Sequence, residues 1–149
     1  MNFMYKYLFI TLFFISSTAF GQKINEKQAI KQVIRNMFTA MQTGDTALFR
    51  TCFSSNVIFQ TIVNKENQTQ VKTEDFESFL KNLTKYPQGA LDERIKFNGL
   101  HEDGAMASVW TPYQFFYQGK YSHQGVNSFQ LVKMGDGWKI QYLIDTRRK

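Results

Sequence analysis

The chain has 149 residues, 43% hydrophobic and 20% charged, with a formal net charge of +6. That length suits one domain with a real core. Its positive charges are spread along the chain and cluster only at Arg147, Arg148 and Lys149, so no nucleic-acid partner is expected. Cys52 is the single cysteine, which excludes an internal disulfide; one cysteine and two histidines argue against a structural zinc site.

The N-terminus reads as a targeting segment. MNFMYK carries one lysine, YLFITLFFI is a short apolar run, and SSTAFG ends with Ala19 and Gly21. This is the layout of a secretory signal peptide, with cleavage expected after Gly21. The apolar run falls short of the ~20 residues that span a bilayer, and no cysteine stands near the cleavage site to carry a lipid. A domain of residues 22–149 in a periplasmic or secreted protein, with no membrane attachment after cleavage, is the expectation. An uncleaved, membrane-tethered form is the rival. Removing Lys6 from the 18 basic residues leaves 17 against 12 acidic ones, so the mature chain stays basic.

Asn25 is placed to cap a helix in which Ile30, Val33, Ile34, Met37, Phe38 and Met41 form one apolar stripe, and Gly44 stops it. A short second helix is predicted over 46–53, burying Leu48, Cys52 and Phe53. NVIFQTIV then reads as a strand from its β-branched content. Thr73 is the expected cap of a third helix, with Glu74 and Asp75 in its first turn and Phe76, Phe79, Leu80 and Leu83 as its stripe. Pro87 and Gly89 end it.

From Leu91 the period changes from helical to alternating. ERIKFNGL puts Ile95 and Phe97 on one face and Arg94, Lys96 and Asn98 on the other. Turns at HEDGA, QGK and MGDG separate four such runs, which predicts an antiparallel meander. HEDG itself is a poor metal site, because consecutive residues in a turn do not converge on one ion. Helices gather in the first half and strands in the second, which is an α+β arrangement.

This element order resembles the nuclear transport factor 2-like superfamily, which includes SnoaL-like polyketide cyclases, ketosteroid isomerases and scytalone dehydratases. The resemblance covers nearly all of residues 22–149. It is sharpest in AIKQVIRNMFTAMQTGDTALFRTCFSSNVIF and in HQGVNSFQLVKMGDGWKIQYLIDTRR, which is similar to exported bacterial members. It implies a curved antiparallel sheet wrapped around three N-terminal helices, a cystatin-like cone with a pocket at its open end. It also implies a homodimer paired through its sheets.

The strand SHQGVNSFQLV sets His123 and Asn127 on the face of Phe129 and Leu131, which want a core. In a cone, that face is core at the narrow end and pocket lining at the mouth. The isomerase branch has a carboxylate base near the position of Gln60, and Gln cannot take a proton. Its oxyanion-donating acid aligns with Asn127, whose amide can donate without a pKa shift. His123 is then the remaining base, and Asp145 its expected carboxylate partner. Parity, however, puts Asp145 with Leu143, opposite Trp138, Ile140 and Ile144; only a bulge changes that. Asp145 and Arg147 share a face, either as a surface ion pair or with Arg147 gripping an anion at the rim. Trp110, Tyr113 and Phe115 stand on an aromatic strand interrupted by Pro112, where a bulge would turn Trp110 or Tyr113 inward.

Three function classes follow. The first is a protein that binds a small, partly apolar molecule through Gln60, Trp110, Tyr113, Phe115, His123, Asn127 and Arg147, without cofactor or metal. The second is a dehydratase, isomerase or cyclase using His123, Asn127 and Asp145. The third is an interaction module that works through the outer sheet face and exposes a large apolar patch.

Overall fold

The computed structural model describes residues 25–65 and 68–149, so the signal-peptide expectation for 1–21 lies outside the described residues. The chain runs α1 (Glu26–Thr43), α2 (Thr46–Thr51), β1 (Phe53–Lys65), β2 (Gln68–Thr73) and α3 (Phe76–Leu83). It continues through β3 (Leu91–Ile95), β4 (Leu100–Asp103), β5 (Met106–Tyr117), β6 (Lys120–Met134) and β7 (Gly137–Arg148). The class is α+β, with a curved, unclosed sheet.

α1 starts and stops where its sequence demands. Asn25 accepts from the Lys27 backbone N–H, and Gly44 takes a left-handed conformation (φ 74°) that its missing Cβ permits. Ile30, Ile34, Met37 and Ala40 bury the stripe. α2 is shorter than expected and ends at Thr51. Cys52 caps it and Phe53 already belongs to β1, although both are buried. α3 is capped by Asp75, whose carboxylate accepts from the Ser78 N–H; Thr73 is the last residue of β2.

β2 is a strand the sequence concealed. QTQVKT is polar and exposed throughout, and it forms only by pairing with β1. ERIKFNGL is also not one strand. β3 and β4 both pair with β5, and residues 96–99, one more than the three they face, form a bulge between them while still bonded to β5. Pro112 sits opposite that bulge, where its carbonyl accepts from Lys96. A residue's N and C=O point to the same side of an antiparallel strand, so the N–H that Pro112 lacks was never needed by the β6 ladder.

The strand order is β2-β1-β7-β6-β5-β3, with β4 also on β5. β1 lies parallel to β7, so the sheet is mixed, and the wholly antiparallel expectation is corrected. The helical side of the sheet carries the core: Phe59, Val109, Phe129, Leu131, Trp138, Ile140 and Leu143 close over Ile30, Ile34, Phe49 and Leu80. Each such side chain, fully buried, contributes about 1.5–3 kcal/mol of hydrophobic stabilisation.

One irregularity decides where the site forms. The β6–β7 register shifts where Gln130 pairs with Tyr142 but Leu131 pairs with Ile140, which leaves Gln141 as an extra residue. Trp138 and Ile140 point inward before this bulge, and Leu143 and Asp145 point inward after it. Simple parity had set the two pairs on opposite faces. The bulge turns Asp145 into the protein.

Candidate functional site

Beyond the last apolar layer, the inner face of the sheet turns polar. Thr111 pairs with Asn127, Asn127 with Asp145, and Asp145 with Thr61, a row that crosses β5, β6, β7 and β1. All four are buried. Buried polar groups must find partners or cost several kcal/mol, and here they find one another. Thr61 Oγ1 donates to Asp145 Oδ1 at 2.6 Å, and Arg147 Nε donates to Asp145 Oδ2 at 3.0 Å. The Tyr113 hydroxyl lies 3.1 Å from Asp145 Oδ2 and 2.9 Å from the Thr146 carbonyl, sharing its hydrogen between them. Arg147 Nη2 reaches back to Thr61 Oγ1 at 3.1 Å.

Gly125 makes room for this arrangement. It lies between Tyr113 and Arg147 in the next row, and the Tyr113 ring leans across it. A Cβ there would fall 1.8 Å from the Thr146 carbonyl oxygen and 2.7 Å from the Tyr113 ring.

The second half of the polar floor is Glu93 on β3. Asn127 Nδ2 donates to Glu93 Oε1 at 2.8 Å and to Thr111 Oγ1 at 3.3 Å. Burial pushes the Glu93 carboxyl up to about 7, and repulsion from Asp145 adds to it; the Asn127 hydrogen bond and Arg147 act the other way. Burial also raises Tyr113, with Asp145 and Glu93 adding to the effect. His123 is lowered, by burial first and by Arg147 second, which favours the neutral imidazole.

These groups face a cavity of about 520 Å³. Its walls are Met37, Phe38 and Met41 from α1, Phe79 from α3, Phe59 from β1 and Phe115 and Tyr117 from β5. The Phe115 and His123 rings lie against each other, tilted by 31°, with centroids 4.9 Å apart. Glu93 and Phe38 also border a smaller cavity of about 260 Å³ together with Arg35 and Asp92, so Glu93 stands between the two.

Of the residues singled out from sequence, Tyr113, Phe115, His123, Asn127, Asp145 and Arg147 all line the larger cavity. Trp110 does not. It stands on the outer face with 48% exposure, because alternation in β5 turns Val109, Thr111 and Tyr113 inward and no bulge interrupts that run. Gln60 is also on the outer face, tied to Thr73 and Tyr142. The expected His123–Asp145 pair does not form. Both Asp145 oxygens are occupied by Thr61, Tyr113 and Arg147, and the His123 ring meets Ser122 Oγ at 3.0 Å. Asn127 is no free oxyanion donor either, since both its amide hydrogens are engaged.

Glu93 was missed, although its signal was present. The alternation that puts Ile95 and Phe97 on the core face puts Glu93 there too, two residues earlier. Thr61 follows the same logic from Phe59.

Solved structures share this fold. An NTF2-like protein of unknown function from Shewanella baltica superposes with a TM-score of 0.66 at 15% identity, over 85% of this chain and 97% of its own. A cystatin-like domain from Nostoc punctiforme gives 0.65 at 18% identity, over 83% and 78%. A protein from Shewanella frigidimarina described as a "putative ketosteroid isomerase" gives 0.58 at 20%, over 78% and 94%. No curated protein sequence matches the chain. The family profile described as "Putative lumazine-binding" matches residues 25–141. The chain belongs to that family, and with it to the nuclear transport factor 2-like superfamily.

Proposed function

We propose that the protein binds a small, flat, partly apolar molecule in the cavity, with its polar edge on the Glu93–Asn127–Asp145 floor and its ring against the aromatic wall. The observation that carries this is a buried polar row at the bottom of a largely apolar cavity of about 520 Å³. A volume of that size suits a drug-sized ligand, and a few convergent polar groups on an apolar wall are what fix a ligand's orientation. The family description names lumazine, a fused-ring heteroaromatic of this shape. Calorimetric titration with lumazine tests the reading. Saturable one-to-one binding is expected, weakened at least fivefold in Phe115→Ala; the absence of saturable heat with both lumazine and its 2-amino analogue pterin overturns it.

A second reading, acid–base catalysis, is favoured by Glu93. A carboxyl held near 7 exchanges protons readily at neutral pH, and it takes the place that His123 had been expected to fill. A base of this kind contributes ~10²–10⁴ in rate, so Glu93→Gln would cost at least a hundredfold in turnover. A ligand recovered unchanged from prolonged incubation with the wild-type protein counts against this reading.

Export belongs to the same proposal and is supported by the sequence of residues 1–21. Intact mass after expression in a bacterial host would show an N-terminus at Gln22; a full-length soluble chain would contradict it.

A further inference from the structure

We propose that the ligand presents a paired N–H/NH2 edge, as in an amidine or a 2-aminopyrimidinone ring, to the acceptors of Glu93 and Asn127 at the cavity floor. This rests on the binding reading above and names the chemistry that reading leaves open.

On the floor, Asn127, Thr61 and Tyr113 have spent their donors, and Arg147 spends Nε on Asp145 and one Nη2 hydrogen on Thr61. Asn127 Nδ2 gives its two hydrogens to Glu93 and Thr111, Thr61 gives its hydrogen to Asp145, and Tyr113 shares its hydrogen between Asp145 and Thr146. Two acceptors are not spent. Glu93 Oε2 and Asn127 Oδ1 take no hydrogen bond from any described residue. Among the described residues, the one fully buried side-chain oxygen or nitrogen without a partner is Ser54 Oγ, so these two oxygens keep contact with open space. An ionised carboxylate accepts at both oxygens and an amide oxygen has two lone pairs, so the floor can receive several donors at once.

Charge points the same way. Asp145 is matched by Arg147, whereas no described cation bonds to Glu93. Above about pH 7, where Glu93 is ionised, the floor carries unmatched negative character, which favours a donor-rich or cationic edge over a carbonyl. An acceptor-bearing edge would set oxygen against oxygen within a largely apolar cavity, where unpaired polar groups are costly. The walls fix the rest of the molecule. Phe38, Phe79 and Phe115 offer aromatic faces to a flat ring, and an amidinium gains further from such faces.

The test is a pair of probes that differ at one position. Pterin is 2-amino-4-oxopteridine, with an N–H beside an NH2 group; lumazine carries oxo at the same carbon. Their affinities for the wild-type protein are measured side by side by calorimetry, and again for Glu93→Gln. Pterin should bind at least tenfold more tightly than lumazine, and Glu93→Gln should bring the two within about twofold, because an amide offers one acceptor where the carboxylate offered two. Lumazine binding as tightly as pterin, or a preference that survives in Glu93→Gln, overturns this inference and leaves the binding reading standing. Binding of neither overturns both. If Glu93→Gln does not fold, the wild-type ratio alone decides.

Discussion

Asn127 and Asp145 stand directly opposite each other in the β6–β7 ladder, both buried and both on the inner face. That pairing depends on the extra residue Gln141, since an unbulged β7 would have turned Asp145 to the outer face with Leu143. A single bulge thus creates the polar floor. Deleting Gln141 should restore plain alternation and reverse the outer half of β7. The deletion variant is expected to lose lumazine binding and to lose stability together. Retained binding would show that the cavity does not need Asp145.

Gly125 is the tightest position in the site. Its Cβ in Gly125→Ala would collide with the Thr146 carbonyl and the Tyr113 ring. Overpacking of this kind costs typically 1–3 kcal/mol, and a clash with backbone belongs at the upper end, about 3 kcal/mol. Denaturant unfolding of wild type and variant measures it. A loss below about 1 kcal/mol would mean the Tyr113 ring moves aside freely.

Thr61→Val removes the hydroxyl that donates to Asp145 at 2.6 Å while keeping the shape of the side chain. The carboxylate then retains Tyr113 and Arg147 but leaves one oxygen short of a donor. The expected cost is about 2 kcal/mol, the usual loss when a charged acceptor is stripped of a buried partner. Equal stability of the two proteins would place water, rather than Thr61, as the effective partner.

Glu93 gives the protein a pH signature. Its pKa rises from the usual 4.5 to about 7 on folding, so the folded state holds the proton more tightly than the unfolded chain. Between those two values the folded state binds more protons, and stability falls as pH rises. Below about 4.5 the contribution is fully present; above about 7 it is gone. Glu93→Gln should flatten that slope and be the more stable protein at pH 8. Unfolding free energies at pH 5, 6, 7 and 8 check this, and parallel curves for the two proteins would contradict it.

Much of this was legible from the chain. The stripe of α1 and its two caps, the alternation of β5 to β7, and the inward facing of His123 and Asn127 all follow from local periodicity. The parts that were not legible are non-local. β2 exists because β1 offers it an edge, β1 joins β7 in parallel from across the chain, and the Gln141 bulge exists only in the pairing of β7 with β6. Gln60 was drawn inward by resemblance and Trp110 by a bulge expected at Pro112, where plain alternation from Phe59 and Tyr113 puts them outside.

That contrast yields a clean comparison. Trp110→Ala changes an exposed aromatic on the outer face and should leave ligand affinity within about twofold. Phe115→Ala removes part of the cavity wall and should weaken binding at least fivefold, the ~1 kcal/mol or more expected of an aromatic contact. Equal effects would move the site away from the cavity.

A crystal structure of the protein grown with pterin shows whether a flat molecule lies in the cavity with its polar edge on Glu93 and Asn127. Planar density is expected between Phe38 and Phe115, with ring nitrogens within hydrogen-bond distance, ~3 Å, of Glu93 Oε2 and Asn127 Oδ1. Pterin bound on the outer face, or a cavity holding only water at saturating pterin, would contradict it.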